Sequence, residues 1–403
     1  MSDLLPRLRF NLDFLPSPDP ARPGLVIRDP YHYTDATLIV PPLLVQVLEC
    51  FDGQQSTLDL RSELVRITGE IQVGDLEKHL FDSLNDAGFL ENERYRELKA
   101  KRESDFVQEP IRHAIFAGSA YPEDADALSD VLMRRIGRSD GAATMAVAAP
   151  HASPDGAWDT YRAAYQALPA REAAEGKMFV ILGTSHYGAP DKFGLTRKQF
   201  ITPFGSAQTD SDLVKELEAA SPNAVRMEDY CHAVEHSIEF QIVFLQHLYG
   251  PNVRVLPILC GPFVKSIYEG GLPESNDAVK RFLGSLGEIA ARQSQNLLWV
   301  LGVDMAHIGQ RYGDPVRAVA NSGEMLAVAE RDGERIERIK EGDVEGYWSL
   351  VQEGHDDLKW CGASPIYTFM RALPGLRSEL LDYRQWQIDP ASVVSFGALR
   401  FAR

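Results

Sequence analysis

The sequence predicts an α/β protein, a sheet covered by helices on both faces, preceded by a small mainly helical, winged-helix-like domain. Three observations predict it. From Pro110 onward, short apolar runs alternate with stretches of helical periodicity, which is the grammar of strands and covering helices. Before that point the chain carries three short helical stretches and no such alternation. The length, 403 residues, exceeds what one ordinary core organises. The expected domains are residues 1–104 and 105–403.

Residues 1–40 are rich in proline and polar side chains, with short extended pieces such as Gly24–Ile27. Pro41 and Pro42 open a helical stretch, LLVQVLECF, that Asp52-Gly53 ends. Leu58 to Ile67 reads as a second helix. Asp75 to Asp86 reads as a third, with Leu76, Leu80 and Leu84 on one stripe and Gly88 as its stop. This order resembles the peptide-clasp domains of the PqqD family. The charged segment 91–107 reads as a linker helix. The runs Met145–Ala149, Met178–Leu182, Val253–Ile258, Leu297–Val303 and Val393–Leu399 read as strands. Ala125–Ile136, Asp155–Leu168, Val234–Leu248 and Asp277–Arg292 read as helices.

Charge narrows the partners. Lys and Arg number 41 against 58 Asp and Glu, a net charge of -17. Such a surface repels phosphate backbones and anionic lipid, which argues against nucleic acid and membrane. A winged helix invites a DNA reading, but residues 1–104 hold 12 Lys and Arg against 18 Asp and Glu. The third helix offers a duplex only Lys78 and His79 among Asp75, Glu77, Asp82 and Asp86. A peptide or protein is the better expectation for this domain. No secretory signal or membrane-length apolar run is read, and four cysteines without a CxxC pair fit reduced thiols in the cytoplasm.

In an open α/β sheet, ligands bind beyond the carboxyl ends of the strands. Three runs deliver a histidine there: TMAVAAP leads to His151, MFVILGTS to His186, and the run from Leu297 to Asp304-Met-Ala-His307. Imidazole binds iron, zinc or copper, and when neutral it serves as a base near pH 7. A second cluster, Cys231-His232-Ala-Val-Glu235-His236-Ser237-Ile-Glu239, contains H-x-x-E-H, the inverted zinc-protease motif. On one continuous helix its histidines would share a face and a metal. The alternative is a polar helix start facing the pocket, with Glu239 and Gln241 as hydrogen-bond partners.

The segments APHASPDGAW, ILGTSHYGAP, FITPFGSAQTD, HAVEHSIEFQIVFLQ, VLPILCGP, GVDMAHIGQRYG, CGASPIY and VVSFGAL occur in this order and resemble the successive motifs of the MEMO family. Prokaryotic members are often labelled protein B of the AmmeMemoRadiSam system. The resemblance implies a class III extradiol dioxygenase-like fold and a weakly held Fe or Zn ion on His151 and His186. It implies His307 as acid/base with Asp304 beside it, and His236, Glu239 and Ser185 in the pocket. A late cysteine would be the third ligand. It is sought in Asp382–Asp389, which has none, so Gln385, Gln387 or Asp389 would substitute, and Asp389 is taken. Cys361, in CGASP, is set aside. The function implied is a metal-dependent redox or oxygen-using activity on a small or peptide substrate. The alternatives are a non-catalytic peptide-binding module and, through H-x-x-E-H, a zinc hydrolase. Radical-SAM system proteins are the expected partners.

Overall fold

The computed structural model describes residues 4–141 and 144–403. The chain divides into two compact units, the first ending at Glu109 and the second running from Pro110 to Arg403. The boundary expected at residue 104 falls inside a helix. Glu93–Gln108 is continuous, starts at Asn92, whose side chain accepts from the Tyr95 amide, and keeps Phe106 buried near its end.

In the first unit, Thr57–Thr68 and Gly74–Asp86 are α-helices. Ser56 and Asp59 form a reciprocal capping box at the start of the former, which satisfies two amides left over at a helix start. Leu60, Leu64, Leu80 and Leu84 meet Val47 and Phe89 in one core. The LLVQVLECF stretch is not an α-helix but two 3-10 segments, Pro42–Leu44 and Gln46–Cys50. Nine residues between a proline pair and an Asp-Gly turn are too few to offset the cost of nucleating an α-helix. The unit is also less helical than expected. Asp13–Pro16, Leu25–Arg28 and Thr37–Val40 form an antiparallel three-stranded sheet.

The second unit is a mixed α/β structure on one large sheet. Its centre is four parallel strands in the spatial order Ala146–Ala149, Leu297–Gly302, Met178–Thr184, Arg254–Cys260. Side chains alternate between the two faces. Val147, Phe179, Ile181, Leu298 and Val300 pack with helices Ala125–Arg135, Pro154–Gln166 and His236–Tyr249. Ala146, Val180, Leu182, Trp299 and Leu301 pack with Asp277–Arg292, Val344–Gln352 and Ala363–Ala372. Beyond Ala146–Ala149 the sheet continues antiparallel through Ser392–Ala402, which forms a long hairpin with Arg377–Asp389.

Register aligns the strand ends. Gly302 pairs with both Ala149 and Gly183, and Cys260 pairs with Thr184. The chain therefore leaves each strand at one edge, and His151, His186 and Asp304 lie just past it. The helix His236–Tyr249 sits hard against this edge. A Cβ on Gly302 would lie 2.1 Å from the Ser237 carbonyl oxygen, and one on Gly183 2.5 Å from the Ser237 hydroxyl. Among the described residues no helix is long and apolar enough to cross a membrane.

Candidate metal centre

His151 is buried, and its position is over-determined. Its amide donates to Asp304 Oδ1 at 3.0 Å, and its Nδ1 lies 2.9 Å from the Gly302 carbonyl. A carbonyl only accepts, so Nδ1 carries the proton and the Nε2 lone pair is left to face outward. That Nε2 is 3.3 Å from Cys361 Sγ and 3.6 Å from Asp304 Oδ2. Burial pushes the His151 pKa down to about 3, with Asp304 only partly opposing it, so the imidazole is neutral and able to ligate.

His186 is held in the same manner by a carboxylate. Its Nδ1 lies 2.9 Å from Glu235 Oε1, and its amide donates to Glu235 Oε2 at 2.9 Å. Partial desolvation opposes a charge on His186, but the Glu235 carboxylate together with the Cys361 thiol outweighs it and holds the pKa well above the usual value. Glu235 is correspondingly held well below its own usual value, burial being overcome first by His186. His151 and His186 meet edge to face at 4.9 Å between ring centroids.

Donor atoms of His151, His186 and Cys361 all lie within 4.8 Å of one another, a group able to hold a metal ion. Two imidazole nitrogens and a sulfur suit a borderline-soft ion such as zinc or iron. Cys361 thus stands where Asp389 was expected. Asp389 sits in the hairpin turn, its Oδ1 accepting from the Ala391 amide at 2.8 Å. The side chains of Gln385 and Gln387 are engaged by backbone at Met325, Asn321, Ala318 and Ala320. All three hold the hairpin and its neighbouring loop together.

The H-x-x-E-H cluster is not one helix. Glu235 has an extended backbone (φ -83, ψ 135), which separates Cys231–Val234 from His236–Tyr249 and caps the latter. The one-turn spacing of the two histidines is lost. His232 is buried with Nε2 3.0 Å from the Gly194 carbonyl. His236 instead stacks on His186 at 4.9 Å and 9°, and its Nδ1 lies 3.2 Å from Glu235 Oε1. Glu235, His186 and His236 form a second group close enough for an ion. His186 Nδ1 is hydrogen-bonded to this carboxylate, His236 Nδ1 lies beside it and the His236 amide donates to it, which marks Glu235 as the acceptor that orients two imidazoles.

The remaining expected residues fall around this core. His307 stands near enough for Asp304 and His186 to act on its charge, with Nδ1 2.9 Å from the Met305 carbonyl and its ring edge-on to Tyr312. Glu239 does not face the pocket. It is buried in an ion pair with Arg112, accepts from the Ile115 and Phe116 amides and from the Tyr121 hydroxyl, and so ties down the loop that rests on His236 through Phe116. Ser185 is buried, and its hydroxyl has no hydrogen-bond partner among the described residues.

Residues 112–400 match the family described as Memo-like protein. The chain belongs to that family. A MEMO1 family protein of Aquifex aeolicus is 27% identical over 98% of this chain and 99% of its own length, so it spans the first unit as well. One of Pyrococcus furiosus is 30% identical over 68% of this chain and 91% of its own. Among solved structures, an uncharacterized protein of Escherichia coli K12 is similar with a TM-score of 0.34 and 11% identity, over 58% of this chain and 92% of that one. Two residues that this Memo-like protein brings to the candidate centre, Cys361 and Glu235, do not lie at the strand ends that the sheet rule marks. For Cys361 the sequence signal is a cysteine in a short Gly- and Pro-bearing motif. For Glu235 the signal is chemical, since ligating histidines call for an orienting carboxylate.

Proposed function

We propose that this Memo-like protein holds one metal ion through His151, His186 and Cys361, and that the site performs a redox or oxygen-using reaction on a small organic or peptide substrate. The observation that carries the reading is that each imidazole has its Nδ1 committed to an acceptor while its ligand group converges with the thiol within 4.8 Å. The ion would supply Lewis acidity and a place for substrate or oxygen to bind. The chain's own residues do the rest. Glu235 fixes the His186 ring and balances charge. Asp304 holds the His151 backbone in place. Desolvation by the surrounding protein lowers the His307 pKa, which favours the neutral imidazole that an acid/base role needs. We read the fold as class III extradiol dioxygenase-like, on the strength of the sequence resemblance. The first unit we read as a winged-helix-like docking unit for a peptide or for radical-SAM system proteins, on its acidic charge.

Metal content tests the reading. Freshly purified protein should carry up to one Fe or Zn per chain. His151→Ala and Cys361→Ser should each weaken retention about tenfold or more, whereas Asp389→Ala should leave it unchanged. Stoichiometric metal that survives both His151→Ala and Cys361→Ser would sink the assignment.

A further inference from the structure

A cavity of about 720 Å³ opens on the same face of the sheet as the helix His236–Tyr249. One wall is the loop that carries Ala120 and Tyr121, the other the helices Ala125–Arg135 and Pro154–Gln166. That loop is shared with the histidine cluster, since Phe116 rests on His236 and Tyr121 bonds Glu239. The second helix starts just after His151.

The charge of this cavity runs against that of the molecule. The chain carries -17, yet Arg134, Arg135 and Arg162 line the space together against one carboxylate, Asp155. Arg162 is held by the Arg135 carbonyl at 2.6 Å and Asp159 at 3.5 Å. Arg134 has no ion pair or hydrogen-bond partner among the described residues. The guanidinium of Arg135 lies 5.7 Å over the ring of Trp158, which is itself half-buried in the wall. Guanidinium groups present paired donors that fit a carboxylate or phosphate, and an indole face accepts a flat apolar body. In a protein whose overall field repels anions, three arginines gathered in one concavity form a local attraction for them.

We propose that this cavity is an anion subsite. It takes the carboxylate or phosphate of a small planar molecule, with Arg134 and Arg135 on the oxyanion and the planar body along Trp158. The site stands independently of the metal ion, because none of these residues belongs to the candidate centre.

The experiment is calorimetric titration of the full chain, as purified and after chelation, with benzoate, inorganic phosphate and neutral benzamide. Because binding is read directly, an absent metal leaves the result intact. At least one anion should bind, in both preparations, and benzamide should not. The preferred anion identifies the group the site takes. The double variant Arg134→Gln/Arg135→Gln, at exposed positions, should weaken the anion about tenfold or more at unchanged Tm. Ala120→Trp, which fills the cavity and removes no charge, should do the same. No binding of either anion up to about 10 mM overturns the proposal, as does equal binding of benzoate and benzamide. Loss in the arginine variant with none in Ala120→Trp also overturns it, because the anion then sits on the outer surface.

Discussion

Glu235 is the residue on which the candidate centre turns. Its Oε1 accepts from His186 at 2.9 Å and lies 3.2 Å from His236 Nδ1, while both oxygens take backbone amides. In Glu235→Gln an acceptor oxygen survives, but the charge is gone and an NH2 group meets donors. Loss of such an orienting acceptor weakens metal binding about 10–100-fold. Competition against a chelator should show that loss in a variant whose circular dichroism matches the parent, and an unchanged affinity would refute the role. His151, His186 and Asp304 were legible in the sequence because each follows an apolar run whose end the sheet rule places at one edge. Cys361 was not. It precedes the helix Ala363–Ala372, and it reaches His151 only because that helix packs on the sheet beside the strand ends. No spacing in the chain encodes that approach. Asp389, the ligand the sequence offers, takes part in the hairpin turn, where its carboxylate accepts from the Ala391 amide at 2.8 Å.

At the scale of elements, two glycines decide where the histidine-bearing helix lies. Gly183 and Gly302 pair across neighbouring strands, and Ser237 packs onto both. The Ser237 hydroxyl donates to the Thr184 carbonyl at 2.7 Å, which fastens the helix start to the strand end. A methyl group on Gly302 would meet the Ser237 carbonyl oxygen at 2.1 Å, a backbone atom that no rotamer change can move. Overpacking of this kind costs about 1–3 kcal/mol. Gly302→Ala should therefore lower the Tm and also loosen metal retention, because Glu235 and His236 move with the helix. A variant that loses stability but keeps full metal affinity would show that the helix start is not what sets the centre. Helix Asp277–Arg292 was legible to the residue because its apolar stripe faces one side of the sheet. The break at Glu235 was invisible to periodicity, since apolar residues continue on either side and the kink is set by the carboxylate folding back on its own helix start.

For the whole molecule, the division after Glu109 separates two sets of contacts, with one core in the first unit and two in the second. The centre and both cores of the α/β unit lie in Pro110–Arg403, and the family match occupies 112–400. The first unit holds its own buried ion pair, Arg9 with Asp29 at 3.0 Å, and its own leucine core, and no residue of the candidate centre. Residues 110–403 expressed alone should therefore fold cooperatively and bind metal with an affinity within about threefold of the full chain, sites in separate units being close to additive. Thermal unfolding followed by circular dichroism, with metal titration of the same preparation, checks both halves of this expectation. A soluble fragment that melts without cooperativity, or one that folds but loses the metal, would mean that the first unit takes part in building the centre.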